Sequence, residues 1–156
     1  MYLVPSTTNF VRPGKKPVSS MSPTIVEHCN GTFYLALGAG GGSRIITANI
    51  QNLWHILDHN MTACKFILVP FRRAYYSSFP VAAVAQPRFH DQLVPNVMAF
   101  EYEYDNSTVS FLRSLGHNIT WVAPGASYGQ VIRRRSDGTF EPAADPRLAN
   151  SGGFTI

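Results

Sequence analysis

Two short runs of alternating apolar and polar residues, 24–29 and 32–37, flank Asn30-Gly31 early in the chain. Period-two alternation on both sides of Asn-Gly predicts a β-hairpin, because both residues tolerate the positive φ angles of a two-residue turn. A glycine run leaves the second strand. Beyond it Ile46, Ile50, Leu53, Trp54 and Leu57 recur at helical spacing, which predicts a helix with Ser43 as its N-cap. The order strand, glycine turn, helix aims the unpaired N–H groups of the helix's first turn back at the glycines.

Past Met61 the periodicity degrades. Residues 64–80 contain Pro70 and Pro80 and cluster five aromatic side chains without a clean period. Order returns with an alanine-rich helical stub from Ala82. A strand is predicted over 97–104, a helix over 109–115 closed by Gly116 in a left-handed position, and strands over 119–122 and 128–134. Asp137-Gly138 then turns the chain back through Thr139 and Phe140. Strands alternating with helices, without an internal repeat, predict a mixed α+β layered domain. Trp54 and Trp121 read as core residues.

A chain of 156 residues suits one domain or a piece of a larger one, and its 45% hydrophobic content supplies a core. No run reaches the length of a membrane span and no signal peptide opens the chain; the opening residues read as an internal loop. Asn-x-Ser/Thr sequons stand at Asn30, Asn60, Asn106 and Asn118. Roughly one is expected by chance, so four point to the secretory pathway, with an extracellular, cell-surface or vacuolar destination. Cys29 and Cys64 are too few for a disulfide scaffold and could pair or stay free.

The net charge of +4 is local in origin: Lys65, Arg72 and Arg73 fall in one acid-free segment, and without them 10 basic residues face 9 acidic ones. Arg133-Arg134-Arg135 precedes a turn and reads as a solvated hairpin end, not a nucleic-acid surface. His55 and His59 lie four apart with Asp58 between them; lacking further ligands they read as helix-surface residues, and no metal or cofactor is expected.

Candidate chemistry concentrates in two segments. Val18-Ser19-Ser20-Met21-Ser22-Pro23-Thr24-Ile25 is a hydroxyl-rich loop entering a strand, and Leu37-Gly38-Ala39-Gly40-Gly41-Gly42-Ser43-Arg44-Ile45 is the glycine turn. Ser19 and Ser20 can donate to a carboxylate. Successive N–H groups at Gly41 and Gly42, at a helix start, can face developing negative charge. Two plainer readings stand beside these: a serine loop that caps its own backbone, and a tight strand-to-helix turn without a ligand.

With these motifs on the page, the chain resembles the C-terminal part of the small subunit of γ-glutamyltransferase (γ-glutamyl transpeptidase, glutathione hydrolase). The resemblance rests on Pro13-Gly14-Lys15-Lys16-Pro17-Val18-Ser19-Ser20-Met21, on Gly40-Gly41-Gly42-Ser43-Arg44-Ile45, on the Pro87-Arg88-Phe89-His90-Asp91-Gln92-Leu93 motif followed by Pro95-Asn96, and on Ala144-Asp145-Pro146-Arg147. It implies an N-terminal-nucleophile hydrolase fold, two sheets between helical layers, here incomplete and without the nucleophile-bearing strand. It implies γ-glutamyl transfer from glutathione and its conjugates to water, amino acids or dipeptides, through a threonine acyl-enzyme whose own α-amine can act as the base. On the same resemblance Ser19 and Ser20 match the pair that binds the γ-glutamyl α-carboxylate, and Gly41 and Gly42 match the oxyanion-hole glycines. The implied partners are glutathione or other γ-glutamyl compounds, the rest of the small subunit and the large subunit.

The chain departs from the family's pattern in two places. The nucleophilic threonine is missing; Thr7-Thr8 lies in the wrong place relative to Ser19. The whole chain, 1–156, is therefore expected to be a piece supplying one wall of a site and inactive alone, or else a non-catalytic truncated or mis-spliced product. Residues 64–81 have no counterpart in the family and read as a short retained intron translated in frame, with a genuine surface insertion as the alternative.

Overall fold

The protein's structure, a computed structural model, describes residues 6–59 and 82–153. The segment 64–81, Cys64 and the sequon at Asn60 lie outside the described residues.

The first hairpin forms as expected from β1 (Thr24–Glu27) and β2 (Phe33–Gly40). Its tip holds three residues rather than two. Gly31 N–H donates to His28 O and His28 N–H to Thr32 O, both at 2.8 Å, and Gly31 takes a φ of 77°. This is a turn closed by one left-handed glycine. Asn30 does not need a positive φ here; its side-chain oxygen accepts the Thr32 N–H at 2.9 Å. The described sequon asparagines Asn30, Asn106 and Asn118 are all exposed.

β2 runs on through the first glycines. Gly38, Ala39 and Gly40 pair with Gln130, Gly129 and Tyr128 of β6 (Tyr128–Arg134). The Tyr128 ring lies 2.4 Å from where a Cβ on Gly40 would stand, so the ring lies over the strand in the space that a side chain there would fill. With β7 (Phe140–Ala144) the sheet order is β1-β2-β6-β7, all antiparallel. A second sheet, β3-β4-β5, is built from Phe89–His90, Met98–Glu101 and Ile119–Val122. Its β4–β5 pair is parallel; the connection carries α3 (Asn106–Ser114), since parallel neighbours need a crossover. The helix α1 (Arg44–Leu57) lies across β2 and β6 beside the short α2 (Ala82–Ala85). The α+β class is as expected.

The helix period of α1 was legible, but its apolar stripe faces outward. Ile46, Ile50, Trp54 and Leu57 are 44–59% exposed, so Trp54 is not a core residue. The inward face carries Ile45, Ala48, Asn49, Gln51, Asn52 and Ile56. Small and amide side chains there let the helix approach the sheet and tie it to neighbouring backbone. Ile56 joins Leu35, Leu37, Ala83, Val84, Val131 and Ala143 in one core. Met98, Phe100 and Val109 form a second, against which Trp121 packs.

A buried ionic cluster joins the two sheets. Arg88 donates from Nη2 to Asp145 Oδ2 at 2.6 Å and from Nη1 to Ser127 O at 3.1 Å. Arg147 donates to both Asp145 Oδ1 and Glu101 Oε2. Glu101 Oε2 also accepts the Arg88 backbone N–H at 2.9 Å. Burial depresses the Arg88 pKa against the opposing pull of Asp145. The Arg147 pKa is raised, because its bonds to Glu101 and the Asp145 charge outweigh its burial. At the β6–β7 turn the arginine run is less solvated than expected: Arg133 and Arg135 both pair with Glu141, which is buried.

α3 starts three residues before its predicted position because Asp105 caps it, accepting the Ser107 and Thr108 N–H groups. Hydrogen bonds from Ser107 and then Thr108 hold the Asp105 carboxyl far below the usual carboxylate range. A depressed folded pKa stabilises the fold above the unfolded Asp value of about 3.9, and that contribution is lost as pH falls through the folded value. The Thr108 amide should stay protected at pH 4 and lose protection only on further acidification, as an NMR titration of the Asp105 carboxyl would show.

Candidate active site

The serine loop touches the helix that the glycine turn opens. The β1–β2 ladder ends at Thr24–Leu37, and residues 18–23 lead into it without regular structure. Asn49, one turn and a half into α1, reaches back to this loop: its Nδ2 donates to Ser22 O at 2.7 Å and to Ser22 Oγ at 3.0 Å. The loop is therefore tied to the helix that the glycine turn opens. Nothing in the linear pattern marked Asn49; an amide on the inward face of a helix was the available signal.

Ser19 is exposed and Ser20 half-buried. Ser19 Oγ accepts the Met21 N–H at 3.1 Å, which realises the self-capping reading. That bond uses a lone pair and leaves the hydroxyl proton free to donate, so it is compatible with a carboxylate bound from the other side.

Gly41 and Gly42 are exposed and have φ angles of 130° and 64°. Arg44 N–H donates to Gly41 O at 3.3 Å and Ile45 N–H to Gly42 O at 3.1 Å, carrying the turn into α1. Behind Gly41 stand Ala126 O and Ser127, 2.7–2.9 Å from where a Cβ would sit, so the turn is pressed against the start of β6. Ser43, expected as a side-chain N-cap, has helical backbone angles and makes no cap bond. Its hydroxyl donates instead to Gln92 Oε1 at 2.9 Å.

The other singled-out residues stand apart from this geometry. Thr7 and Thr8 form a single exposed 3₁₀ turn. His55, His59 and Trp54 touch one another at the far end of α1, where burial and the neighbouring His59 lower the His55 pKa. Among the described residues no group of three metal-ligating side chains forms, and no helix there is long and apolar enough to cross a membrane. An open cleft of about 470 Å³ lies by Tyr34 and Arg133 to Asp137, at the hairpin end.

The sequence profile of the gamma-glutamyltranspeptidase family matches residues 1–154. The chain belongs to that family. It is 44% identical over 149 residues to a glutathione hydrolase of Aspergillus flavus, covering 96% of this chain and 22% of that protein. To a glutathione hydrolase proenzyme of Arthroderma benhamiae it is 40% identical over 152 residues, covering 97% and 23%. It thus spans less than a quarter of the length of these relatives. Among solved structures, the gamma-glutamyltranspeptidase T380A mutant of Helicobacter pylori superposes with a TM-score of 0.74 at 31% identity, covering 94% of this chain and 70% of that one. The enzyme of Pseudomonas nitroreducens complexed with L-DON gives 0.76 at 29%, covering 99% and 72%. In this gamma-glutamyltranspeptidase chain two of the motifs noted in the sequence, Pro87 to Leu93 and Ala144 to Arg147, meet in the ionic cluster. Their charged residues were the signal for it, but only the fold shows that they pair.

Proposed function

We propose that this chain is the C-terminal part of a γ-glutamyltransferase small subunit, an incomplete N-terminal-nucleophile hydrolase fold that supplies one wall of a γ-glutamyl site. The observation that carries the reading is the tie from the Ser19–Ser20 loop, through Ser22 and Asn49, to the helix opened by Gly41 and Gly42. In this reading hydroxyl donors for an α-carboxylate and N–H donors for an oxyanion take one substrate at its two ends.

In this reading a threonine outside the chain attacks the γ-glutamyl carbonyl, its proton passing to its own α-amine. The carbonyl oxygen becomes an oxyanion held by the Gly41 and Gly42 N–H groups. As the oxyanion collapses, the α-ammonium gives its proton to the leaving nitrogen, the amine departs and an acyl-threonine remains. Water or an acceptor amine attacks that ester through a second oxyanion in the same hole; its proton passes by the α-amine to the threonine oxygen, which frees the γ-glutamyl product and the threonine. The substrates are glutathione and related γ-glutamyl compounds. The rest of the small subunit and the large subunit cover the outward stripe Ile46, Ile50, Trp54 and Leu57. Passage through the secretory pathway fits the exposed sequons.

The purified chain should release no γ-glutamate from a chromogenic γ-glutamyl anilide. Turnover that survives replacing Thr7 and Thr8 with alanine would show that the nucleophile lies elsewhere within it. In a complete enzyme, Ser19→Ala with Ser20→Ala should weaken substrate binding, since hydrogen bonds to a charged group contribute roughly 1.5–3 kcal/mol each. An unchanged affinity would leave the serines as loop caps only.

A further inference from the structure

The glycine turn has little of its own to hold its shape. Gly41 and Gly42 have no side chains and the widest conformational freedom of any residue; the bonds that carry the turn into α1 are 3.3 and 3.1 Å long. The first side chain after them is Ser43, and its hydroxyl does not cap the helix but goes to Gln92. Gln92 is in turn held on both sides. Its Nε2 donates to Val94 O at 2.7 Å, which fixes the amide with Oε1 toward Ser43. His90 Nε2 lies 3.1 Å from the same Oε1.

This arrangement places one His90 proton. An amide oxygen only accepts, so the proton between His90 and Gln92 sits on Nε2. The ring's Nδ1 meets Thr47 Oγ1 at 2.9 Å. Thr47 stands one turn beyond Ser43 on α1. Its hydroxyl also donates to Arg44 O at 3.2 Å. His90 is buried, on β3 of the second sheet. It therefore grips the first turn of α1 at two points, through Thr47 directly and through Gln92 at Ser43.

We infer that His90 and Gln92 are positioning residues for the Gly41–Gly42 turn, setting the direction of its N–H groups through Ser43 and Thr47. The inference rests on the oxyanion-hole reading only for its effect on the reaction; the anchoring is a property of the fold. A hole with one face made of glycine backbone needs its rigidity from outside, and a displacement of about 1 Å at such a site can cost on the order of a hundredfold in rate.

Two measurements test this separately. In the 15N-labelled full chain, the His90 ring should carry a proton on Nε2. Gln92→Leu and Ser43→Ala should each speed exchange of the Arg44 and Ile45 amides roughly fivefold to tenfold, the loss of about one hydrogen bond. Gln92→Glu keeps an acceptor for Ser43 and His90 but loses the donor to Val94 O, and should restore part of the protection. Ser43→Ala removes only one hydroxyl, so the test holds even if Gln92→Leu fails to fold. A His90 Nε2 without a proton, or exchange unchanged in Ser43→Ala, overturns the proposal. The second measurement grafts residues 6–153 into the Aspergillus flavus relative. There Gln92→Leu should lower kcat with KM nearly unchanged, because an oxyanion donor acts only in the transition state. Loosened amides with an unchanged kcat would uphold the anchor and overturn the oxyanion-hole reading instead.

Discussion

Gly42→Val in a complete enzyme carrying this chain is expected to lose on the order of a hundredfold or more in turnover while remaining folded. Gly42 sits at a φ of 64°, a left-handed conformation that a β-branched residue adopts only under strain. The turn would relieve that strain by rotating its peptide planes, and with them the direction of its N–H groups. Gly41→Ala should act in the same direction for a different reason, since its Cβ would stand 2.7 Å from Ala126 O and 2.9 Å from Ser127. Gly38→Ala is the matched control. Gly38 belongs to the same glycine-rich stretch, but nothing lies within 4 Å of its Cβ position, so near-normal turnover is expected. Steady-state kinetics with a γ-glutamyl anilide decide the matter. A Gly42→Val enzyme that is folded and nearly as active as the parent would reject the oxyanion role.

Arg88→Met is expected to destabilise the chain by up to about 3–5 kcal/mol, because it takes one of two arginines from a buried carboxylate and leaves Asp145 with Arg147 alone. Asp145 is 1% exposed and Arg88 4% exposed. Asp145 Oδ2 would keep only the Gly129 N–H bond at 2.8 Å on that oxygen. Arg88 also holds Val84 O and Ser127 O, so its loss releases α2 and the start of β6 together. At this chain length the full change corresponds to a Tm lower by roughly 10 °C or more. Arg113→Ala, on the exposed face of α3, should stay within about 0.5 kcal/mol. Because Ser127 backs Gly41, an Arg88 variant that still folds should also lose activity. Equal melting of Arg88→Met and the parent would show the cluster to be no part of what holds the two sheets together.

Much of the secondary structure was legible from local pattern. The hairpin, the glycine turn, α1, α3 with its Gly116 closure, β5 and β6 all announce themselves through period and turn residues. Local signals acted there through the backbone nearby: Gly31, Gly116 and Gly138 all take positive φ where a turn was expected. Boundaries were less certain for a reason the structure makes plain. β2 extends to Gly40 because pairing with β6 continues it, and α3 begins early because Asp105 caps it.

The sequence by itself determined the family, through four motifs in order, and pointed to the residues proposed here to carry its chemistry. Each motif is a local string whose meaning does not depend on what packs against it. Tertiary structure alone decided three further things. It turned the apolar stripe of α1 outward, because the helix's small and amide side chains fit the close approach to β2 and β6. It sent the Ser43 hydroxyl to Gln92 rather than to its own helix, because a loop distant in sequence brings an acceptor within 2.9 Å. It also joined Arg88 to Asp145 across 57 residues, a pairing no period encodes, because a buried charge finds its partner only where the fold excludes water.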